Sequence, residues 1–311
     1  MSNKIGYWAA TSIVAGSIIG SGIFMKPATM AAQLGSPEWL IAIWAITGLL
    51  SLFGALIYAE VGAMFPQTGG QYVYFRHMYG GFVAFLWGWA AFAVINTAAV
   101  AAISFVCAQY LHLFLQFPQF ISYVYQSAVE WHMPFLGNLY PFKNFDIKLL
   151  AISLVLVITA LNYLTLRGGS LLQLISTIIK IGLIAAMVSG ILFSGSGSAA
   201  NFITGSVESK TGWALVGGIV AALTGGFMAY DGWINLTFVA GELKNPQRNI
   251  VRSLITGVFV CICVYVLVNL AYLYVLPIDR MAASPLVAYD AVSVAWGQTS
   301  GNIVAALVVI C

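Results

Sequence analysis

The chain has 311 residues, of which 61% are hydrophobic and only 7% are charged, and its formal net charge is +3. Soluble globular domains carry about 25% charged residues, so 12 basic and 9 acidic side chains could not cover a water-facing surface of this size. A soluble enzyme, a disordered chain and a nucleic-acid binder are therefore excluded, and the small positive charge is too scattered for a phosphate-binding patch. The composition predicts an all-α polytopic membrane protein.

Seven complete apolar segments follow one another along the chain, each long enough for a membrane-spanning helix, which needs about 20 residues. They cover residues 7–34, 39–65, 81–114, 147–166, 170–193, 213–240 and 250–276. Residues 277–294 have a mixed character that predicts a short surface helix, and part of an eighth segment starts near Val294. Runs of this length do not fit barrel strands, which alternate over about ten residues.

The charges between the segments indicate an orientation. With the N-terminus in the cytoplasm, the inner loops hold six basic residues and one acid, whereas the outer loops hold four basic and six acidic residues. Cytoplasmic loops of membrane proteins carry an excess of Lys and Arg. We therefore expect a multi-pass protein of the plasma (cytoplasmic) membrane with a cytoplasmic N-terminus.

The first segment is interrupted near its middle by the sequence GSIIGSG at residues 16–22. These glycines and serines are poor helix formers, since each glycine costs up to about 1 kcal/mol relative to alanine. One interpretation is close helix packing through small residues. The other is a local unwinding, which a membrane tolerates only where the backbone lines a cavity, and whose free N–H groups suit a carboxylate.

The sixth segment has a similar interruption, TGGFMAYDGW at residues 224–233, with Asp231 beside a glycine. An acid in the middle of a span is costly unless it faces a cavity or a partner. Free carbonyl groups at the end of a half-helix accept an ammonium, so the two interruptions together fit both charged ends of an amino acid. Interrupted helices in corresponding halves are typical of secondary transporters built from repeats.

Three motifs carry a resemblance to a known family. Residues 16–24 (GSIIGSGIF), residues 66–74 (PQTGGQYVY) and residues 229–246, which include AYDGW and ELKNP, resemble signatures of the amino acid–polyamine–organocation superfamily, in its L-type amino acid transporter branch. The resemblance implies the leucine-transporter fold, in which two inverted five-helix repeats have broken helices 1 and 6 and two further helices follow. Helices 1 and 6 form the substrate site in that fold.

On this resemblance, residues 1–311 belong to a single transmembrane domain. Residues 7–195 form the first inverted repeat, helices 1–5, and residues 213–311 form an incomplete second repeat, helices 6–8. A second repeat as long as the first would end about 90 residues further on, so we expect a transporter that is incomplete at its C-terminus.

The resemblance also suggests roles for individual residues. Backbone N–H groups of the Gly20, Ser21 and Gly22 stretch match positions that hold the substrate carboxylate, and carbonyl groups at both breaks match positions that face its amine. Met228 stands where relatives often have an aromatic gate. Coupling or gating is assigned to Lys180 and Tyr230, and substrate binding to the following residues: Ser17, Ile18, Gly20, Ser21, Gly22, Met228, Ala229 and Asp231.

Two of these side chains allow more than one interpretation. Lys180 lies inside the fifth segment, and by resemblance its ammonium replaces a sodium ion beside the broken first helix; a structural tie between helices is the alternative. Because a buried lysine can lose its proton, proton coupling stays open. Asp231 could bind a cationic side chain, a proton or the substrate amine, but we favour a local structural role, such as capping the free N–H groups of the next half-helix.

We predict sodium-independent secondary transport of small or medium neutral L-amino acids, by exchange and alternating access, and no enzymatic activity. Segments one, three and six carry no cluster of acids to balance a second cation, which argues against arginine or polyamines as substrates. A proton-coupled amino-acid symporter, and a non-transporting fragment or accessory membrane subunit, are the alternatives. We expect no catalytic residue, metal or cofactor, and as partners the substrate, membrane lipid and an unidentified subunit at most.

Overall fold

The computed structural model of the protein describes residues 5–115, 129–133, 137–164, 169–205, 210–297 and 300. Most of these residues are helical, and two short strands pair within the described part of the chain. The chain divides into two units, one formed by Met1–Ala90 with Gly168–Cys311 and the other by Ala91–Arg167.

The first unit begins with a helix that is broken in the middle and bent by 42°. The second half of this helix ends at Gly35, whose left-handed φ of 64° suits glycine, and the Ser36 hydroxyl caps the next helix by accepting the Trp39 N–H at 3.3 Å. The helices of this part are α1 (Tyr7–Ile18), α2 (Gly22–Leu34), α3 (Pro37–Met64), α4 (Gln71–Tyr79) and α5 (Gly81–Ala90).

The second unit contains two long helices that pack against each other and a short antiparallel hairpin. His112 Nε2 lies 3.4 Å from a carboxylate oxygen of Asp146, which ties the end of one helix to the start of the other. The elements are a π-helical turn (Ala91–Ile95), α6 (Asn96–Leu115), β1 (Trp131–Met133), β2 (Gly137–Leu139) and α7 (Phe145–Leu164).

The chain then returns to the first unit, where a second interrupted helix and a long unbroken helix follow. Pro246 starts the long helix, a position at which the missing N–H of proline costs nothing. The helices are α8 (Gly169–Phe193), α9 (Gly212–Tyr230), α10 (Asn235–Phe238), α11 (Pro246–Val275), α12 (Ile278–Ala283) and α13 (Val287–Trp296), with short 3₁₀ turns at Ala199–Phe202 and Ala240–Glu242.

The long helix α11 lies at the centre of the first unit and packs on α1, α3 and α8. Helix α11 runs in the same direction as α1, as two contacts show. The Tyr7 hydroxyl at the start of α1 lies 2.9 Å from the Thr256 hydroxyl of α11, and the Ile18 carbonyl oxygen at the end of α1 lies 2.7 Å from the hydroxyl of Tyr265, further along α11. It runs opposite to α3. A Cβ on Gly48 would meet Ile262 at 2.6 Å, and a Cβ on Gly62 would meet Ile250 at 3.3 Å, so both glycines allow α3 and α11 to approach closely.

Five helices of the described chain are long and apolar enough to cross a membrane, and the broken pair α1–α2 makes a sixth. The five are Pro37–Met64, Gly81–His112, Leu174–Phe193, Gly212–Phe238 and Pro246–Val275. They match predicted segments, and a polytopic helical membrane protein is thereby confirmed. The remaining complete segment, predicted at 147–166, forms helix α7 and extends beyond the described residues, and most of the predicted eighth segment lies outside them.

The prediction of one short surface helix at residues 277–294 is wrong in detail. This stretch forms two short helices, α12 and α13, which pack against α2. Their inward faces are completely or almost completely buried, because apolar residues alternate with polar ones at helical spacing. The buried residues are Ile278, Met281, Val287, Ala288, Ala291 and Val292.

Candidate substrate site

The break in the first helix lies between α1 and α2, at residues 19–21. The last hydrogen bond of α1 runs from the Ile19 N–H to the Ala15 carbonyl oxygen at 2.8 Å. The first hydrogen bonds of α2 run from the Phe24 and Met25 N–H groups to the Ser21 carbonyl oxygen, each at 3.1 Å. Among the described residues, the N–H groups of Ser21 and Gly22 find no hydrogen-bond acceptor. These donors lie at the positive end of the α2 dipole, where an anion is favoured.

The break in the sixth segment lies between α9 and α10. Helix α9 ends at Tyr230, and Asp231 takes an extended conformation with φ −67° and ψ 156°. Gly232 follows with φ +114°, a conformation that L side chains rarely adopt, so glycine is required to turn the chain here. The last carbonyl groups of α9 therefore lack the helical N–H partners that a continuous helix would supply.

The two breaks touch each other. A Cβ added to Gly22 would lie 2.8 Å from the Ala229 Cα, and one added to Gly232 would lie 2.5 Å from the Ser17 carbonyl oxygen. Real Cβ atoms do not approach backbone atoms this closely, so only glycine at both positions allows the contact. The start of α2 is thus brought beside the end of α9, which places free N–H groups and free carbonyl groups in one region.

Tyr265 of α11 joins the two breaks through its hydroxyl group. This hydroxyl lies 2.7 Å from the Ile18 carbonyl oxygen and 3.1 Å from the Ala229 carbonyl oxygen, and the side chain is fully buried. One proton shared between two carbonyl oxygens leaves acceptor capacity on each, since a carbonyl oxygen has two lone pairs. The region between the breaks therefore keeps a negative potential that attracts a cationic group.

Aromatic rings hold Tyr265 in place. Trp44 of α3 packs edge-on against Tyr265, with ring centroids 5.4 Å apart, and the Tyr230 ring centroid lies 4.9 Å from that of Tyr265 and 5.9 Å from that of Trp44. The Tyr230 hydroxyl donates to the Trp44 carbonyl oxygen at 3.1 Å, and all three side chains are buried. Such buried aromatic contacts restrict rotamers, so the Tyr265 hydroxyl is positioned by packing as well as by hydrogen bonds.

Met228 and Asp231 lie beside the breaks on an open groove of about 460 Å³ between α9 and α3. Phe227 and Met228 are 44% and 61% exposed, and Trp233 also lines this groove. The Asp231 side chain forms no hydrogen bond or ion pair among the described residues, and no side chain caps α10. Asp231 therefore does not cap α10 and lines the groove, whereas a local structural role for it stays a prediction.

Lys180 lies on α8, which packs against α1. Thr177 donates to the Ser12 carbonyl oxygen at 3.1 Å, which fixes the register of the two helices. Shortly after α8 ends, the Ser198 N–H donates to the Tyr274 carbonyl oxygen, one residue before the end of α11. The C-terminal ends of α8 and α11 therefore lie at the same side, and α8 runs in the same direction as α11 and α1. Three residues beyond Thr177, Lys180 is therefore displaced about 4.5 Å along α1 towards its break.

The short helix α10 is held from two sides. The Gly69 N–H donates to the Phe238 carbonyl oxygen at 3.2 Å, and a Cβ on Gly70 would lie 2.7 Å from the Thr237 hydroxyl, so the motif at 66–74 packs directly on α10. Ile5 exchanges two backbone hydrogen bonds of 2.9 Å with Glu242 and Lys244 just beyond α10. The entry to the first broken helix and the exit from the second are thereby joined.

The sequence matches the amino acid permease family over residues 5–311. The chain belongs to this family. Similar curated proteins include b(0,+)-type amino acid transporter 1 of Mus musculus, which is 31% identical over 96% of this chain and 55% of that protein. The serine/threonine exchanger SteT of Bacillus subtilis (strain 168) is 28% identical over 90% of this chain and 57% of that protein. Large neutral amino acids transporter small subunit 2 of Oryctolagus cuniculus is 30% identical over 96% of this chain and 51% of that protein.

Membership of the amino acid permeases confirms the family that the three motifs indicated. The chain spans about half the length of the curated relatives it matches. Ser17, Ile18, Gly22 and Ala229, which the resemblance assigned to the site, lie together at the touching breaks. Gly20 and Ser21 belong to the same turn, whereas Met228 and Asp231 line the adjacent groove.

Sequence reasoning missed Tyr265, which contacts both breaks. Its position in the middle of the apolar seventh segment resembles that of Tyr272 on the same helix, and both are fully buried. A tyrosine in mid-span needs a partner for its hydroxyl, and this need is the one signal that could have drawn attention to it. Which partner it finds depends on how α11 packs against α1 and α9.

Proposed function

We propose that the protein moves amino acids across the membrane by alternating access, and that the touching breaks of the first and sixth spans bind the substrate. The observation that carries this proposal is the contact of Gly22 with Ala229, because it brings N–H groups without an acceptor beside carbonyl groups that share one hydroxyl donor and keep acceptor capacity. A substrate carboxylate would accept from the N–H groups of Ser21 and Gly22. Its ammonium would donate to the carbonyl oxygens of Ile18 and Ala229, where it would share them with Tyr265 or displace the hydroxyl.

We further propose that the chain follows the leucine-transporter arrangement of inverted repeats. The broken helix α1–α2 precedes the long helix α3, and the broken helix α9–α10 precedes the long helix α11. Each broken helix packs on the long helix of the other pair, and α3 and α11 run in opposite directions. Opposite directions are what an inversion of the second repeat requires, so the packing supports the proposal.

Sodium independence forms part of the proposal. Lys180 lies on α8, three residues beyond the contact of Thr177 with α1, and is displaced along α1 towards the break. An ammonium at this place would supply the positive charge that a sodium ion supplies in sodium-dependent transporters.

We propose small or medium neutral L-amino acids as substrates. Asp231 is the one acid at the described breaks, and a cationic side chain would need further carboxylates to offset its desolvation. The names of two relatives, a serine/threonine exchanger and a large neutral amino acids transporter, support neutral substrates. Exchange is proposed because one of these relatives is named an exchanger.

The location that fits this function is the plasma membrane, with the N-terminus in the cytoplasm. The excess of basic residues in the inner loops supports this orientation. A cysteine placed at Ser2 should react with an impermeant maleimide only after cells are permeabilised. Labelling of intact cells would reverse the orientation.

The test of transport uses the full-length protein alone in lipid vesicles, and radiolabelled L-threonine, L-leucine and L-arginine as substrates. We expect uptake of threonine or leucine that requires an unlabelled neutral amino acid inside the vesicles and is unchanged when choline replaces sodium. Uptake driven by an inward proton gradient into empty vesicles would favour the symporter instead. Failure of all three substrates under every gradient would contradict transport by this protein alone.

A further inference from the structure

A second groove, remote in sequence from the breaks, lies between α12 and α13. Its volume is about 450 Å³, within the range of about 300–1,000 Å³ typical of small-molecule sites. Its walls combine apolar groups with four polar side chains. The lining residues are Leu276, Arg280, Ala283, Ser284, Pro285, Asp290, Ser293 and Val294.

The groove contains one positive and one negative side chain that are not paired with each other. Arg280 of α12 and Asp290 of α13 both line it, yet no ion pair between them within 4.0 Å occurs among the described residues. Arg280 is exposed and Asp290 is half-buried. Two opposite charges that line one groove without pairing suit a ligand that carries both charges itself.

The polar groups around Asp290 leave room for such a ligand. The Ser284 hydroxyl donates to one carboxylate oxygen of Asp290, and a carboxylate has about four lone-pair sites, so acceptor capacity remains for an ammonium. Ser293 lies three residues after Asp290, on the same face of α13. Its hydroxyl oxygen is buried and has no hydrogen-bond partner among the described residues, a condition that is rare in folded proteins.

The guanidinium of Arg280 supplies the complementary half of the site. Arginine presents a planar fork of donors that matches a carboxylate in two parallel hydrogen bonds. Arg280 lines the groove and is exposed, whereas its neighbours Ile278 and Met281 on α12 are buried. Both helices that form the groove, α12 and α13, pack on α2, the half-helix that begins at Gly22.

We propose that this groove is a second binding site for a zwitterionic amino acid, with Arg280 holding its carboxylate and Asp290 its ammonium. That the ligand is an amino acid rests on the proposed function. That the ligand carries a positive and a negative charge rests only on the side chains that line the groove. A ligand here would be bound between α12 and α13 and outside the contact between the two breaks. It would therefore be retained when the site at the breaks is destroyed.

The test measures equilibrium binding of tritiated L-leucine to the purified full-length protein. We expect two leucine molecules per chain in the wild type and one in Asp290→Asn, because the amide can still accept from Ser284 but no longer attracts an ammonium. Arg280→Gln should act in the same way. Asp279→Asn is the matched control, since this acid lies next to Arg280 on α12 but does not line the groove; it should keep both sites.

Two further arms separate this inference from the function it rests on. Gly22→Val, which obstructs the breaks, should leave one leucine site, and that site should be lost when Asp290→Asn is added. Unlabelled leucine should compete there, whereas 4-methylpentanoate and 3-methylbutan-1-amine, which each lack one charge, should not. A wild type with one leucine site, which Gly22→Val removes and Asp290→Asn keeps, would overturn the second site but not the proposed transport. No leucine binding by the wild type would contradict both the second site and the proposed transport.

Discussion

The hydroxyl of Tyr265 lies 2.7 Å from the carbonyl oxygen of Ile18, at the point where the first membrane helix breaks. The same hydroxyl reaches the Ala229 carbonyl oxygen at 3.1 Å, so one side chain from α11 contacts both interrupted helices. The carbonyl groups proposed to receive a substrate ammonium are thus already polarised by a donor. This contact makes Tyr265 a positioning residue for the breaks.

Replacing Tyr265 with Phe removes this donor while keeping a ring packed against Trp44 and Tyr230. We expect amino-acid uptake to fall by about tenfold or more, equivalent to about 1.4 kcal/mol, because the two breaks lose their common contact. Loss of one buried hydrogen bond should cost about 1 kcal/mol of stability, measured as a lower melting temperature in detergent. Tyr274→Phe is the control, since its hydroxyl forms no hydrogen bond in the described structure. Equal uptake by both variants would remove Tyr265 from the mechanism.

Gly22→Ala and Gly20→Ala form a matched pair within one turn. A Cβ on Gly22 would lie 2.8 Å from the Ala229 Cα, whereas one on Gly20 would meet nothing closer than the Ile18 carbonyl oxygen at 4.0 Å. We expect Gly22→Ala to push α2 away from α9 and to reduce leucine binding at the breaks by about tenfold or more. Gly20→Ala should bind almost normally. If the two variants bind equally well, the close contact does not matter for the substrate.

Gly232→Ala tests the turn that ends α9. The new methyl group would lie 2.5 Å from the Ser17 carbonyl oxygen, and φ +114° would be strained for any L residue, at a cost of about 1–3 kcal/mol. We expect reduced yield of folded protein and a lower melting temperature. Gly217→Ala on α9 should have the opposite tendency, because its Cβ meets no atom within 4 Å and alanine favours helix. A melting temperature for Gly232→Ala at or above that of Gly217→Ala would contradict the turn as described.

Lys180→Met tests the proposed stand-in for sodium. The variant keeps an unbranched apolar stem but removes the ammonium, so we expect uptake to fall by about tenfold or more and not to recover in choline buffer. Lys148→Met is the control, because that ammonium donates to the carbonyl oxygens of Tyr140 and Pro141 in the loop before α7. Unchanged uptake by Lys180→Met would leave only a structural role for this lysine.

The membrane class and the two interruptions could be predicted from the sequence, because both follow from local properties. A charged fraction of 7% excludes a water-covered surface wherever the chain folds. Likewise, the glycines and serines at residues 16–22 weaken a helix whatever surrounds them. The order of three motifs then indicated the family that the match over residues 5–311 confirms.

The contacts that make a site of the two interruptions depend on tertiary packing. Tyr265 lies 247 residues from Ile18, and neither its distance from that carbonyl oxygen nor the choice of Gly22 and Ala229 as neighbours is encoded in any local pattern. The same limit explains why Asp231 was expected to cap α10 and instead faces a groove beside α3. The local sequence therefore determined where the backbone of each broken helix is interrupted. Packing against α11 and α3 decided which groups contact each other there, because contacts between residues distant in sequence depend on how the surfaces of whole helices fit together.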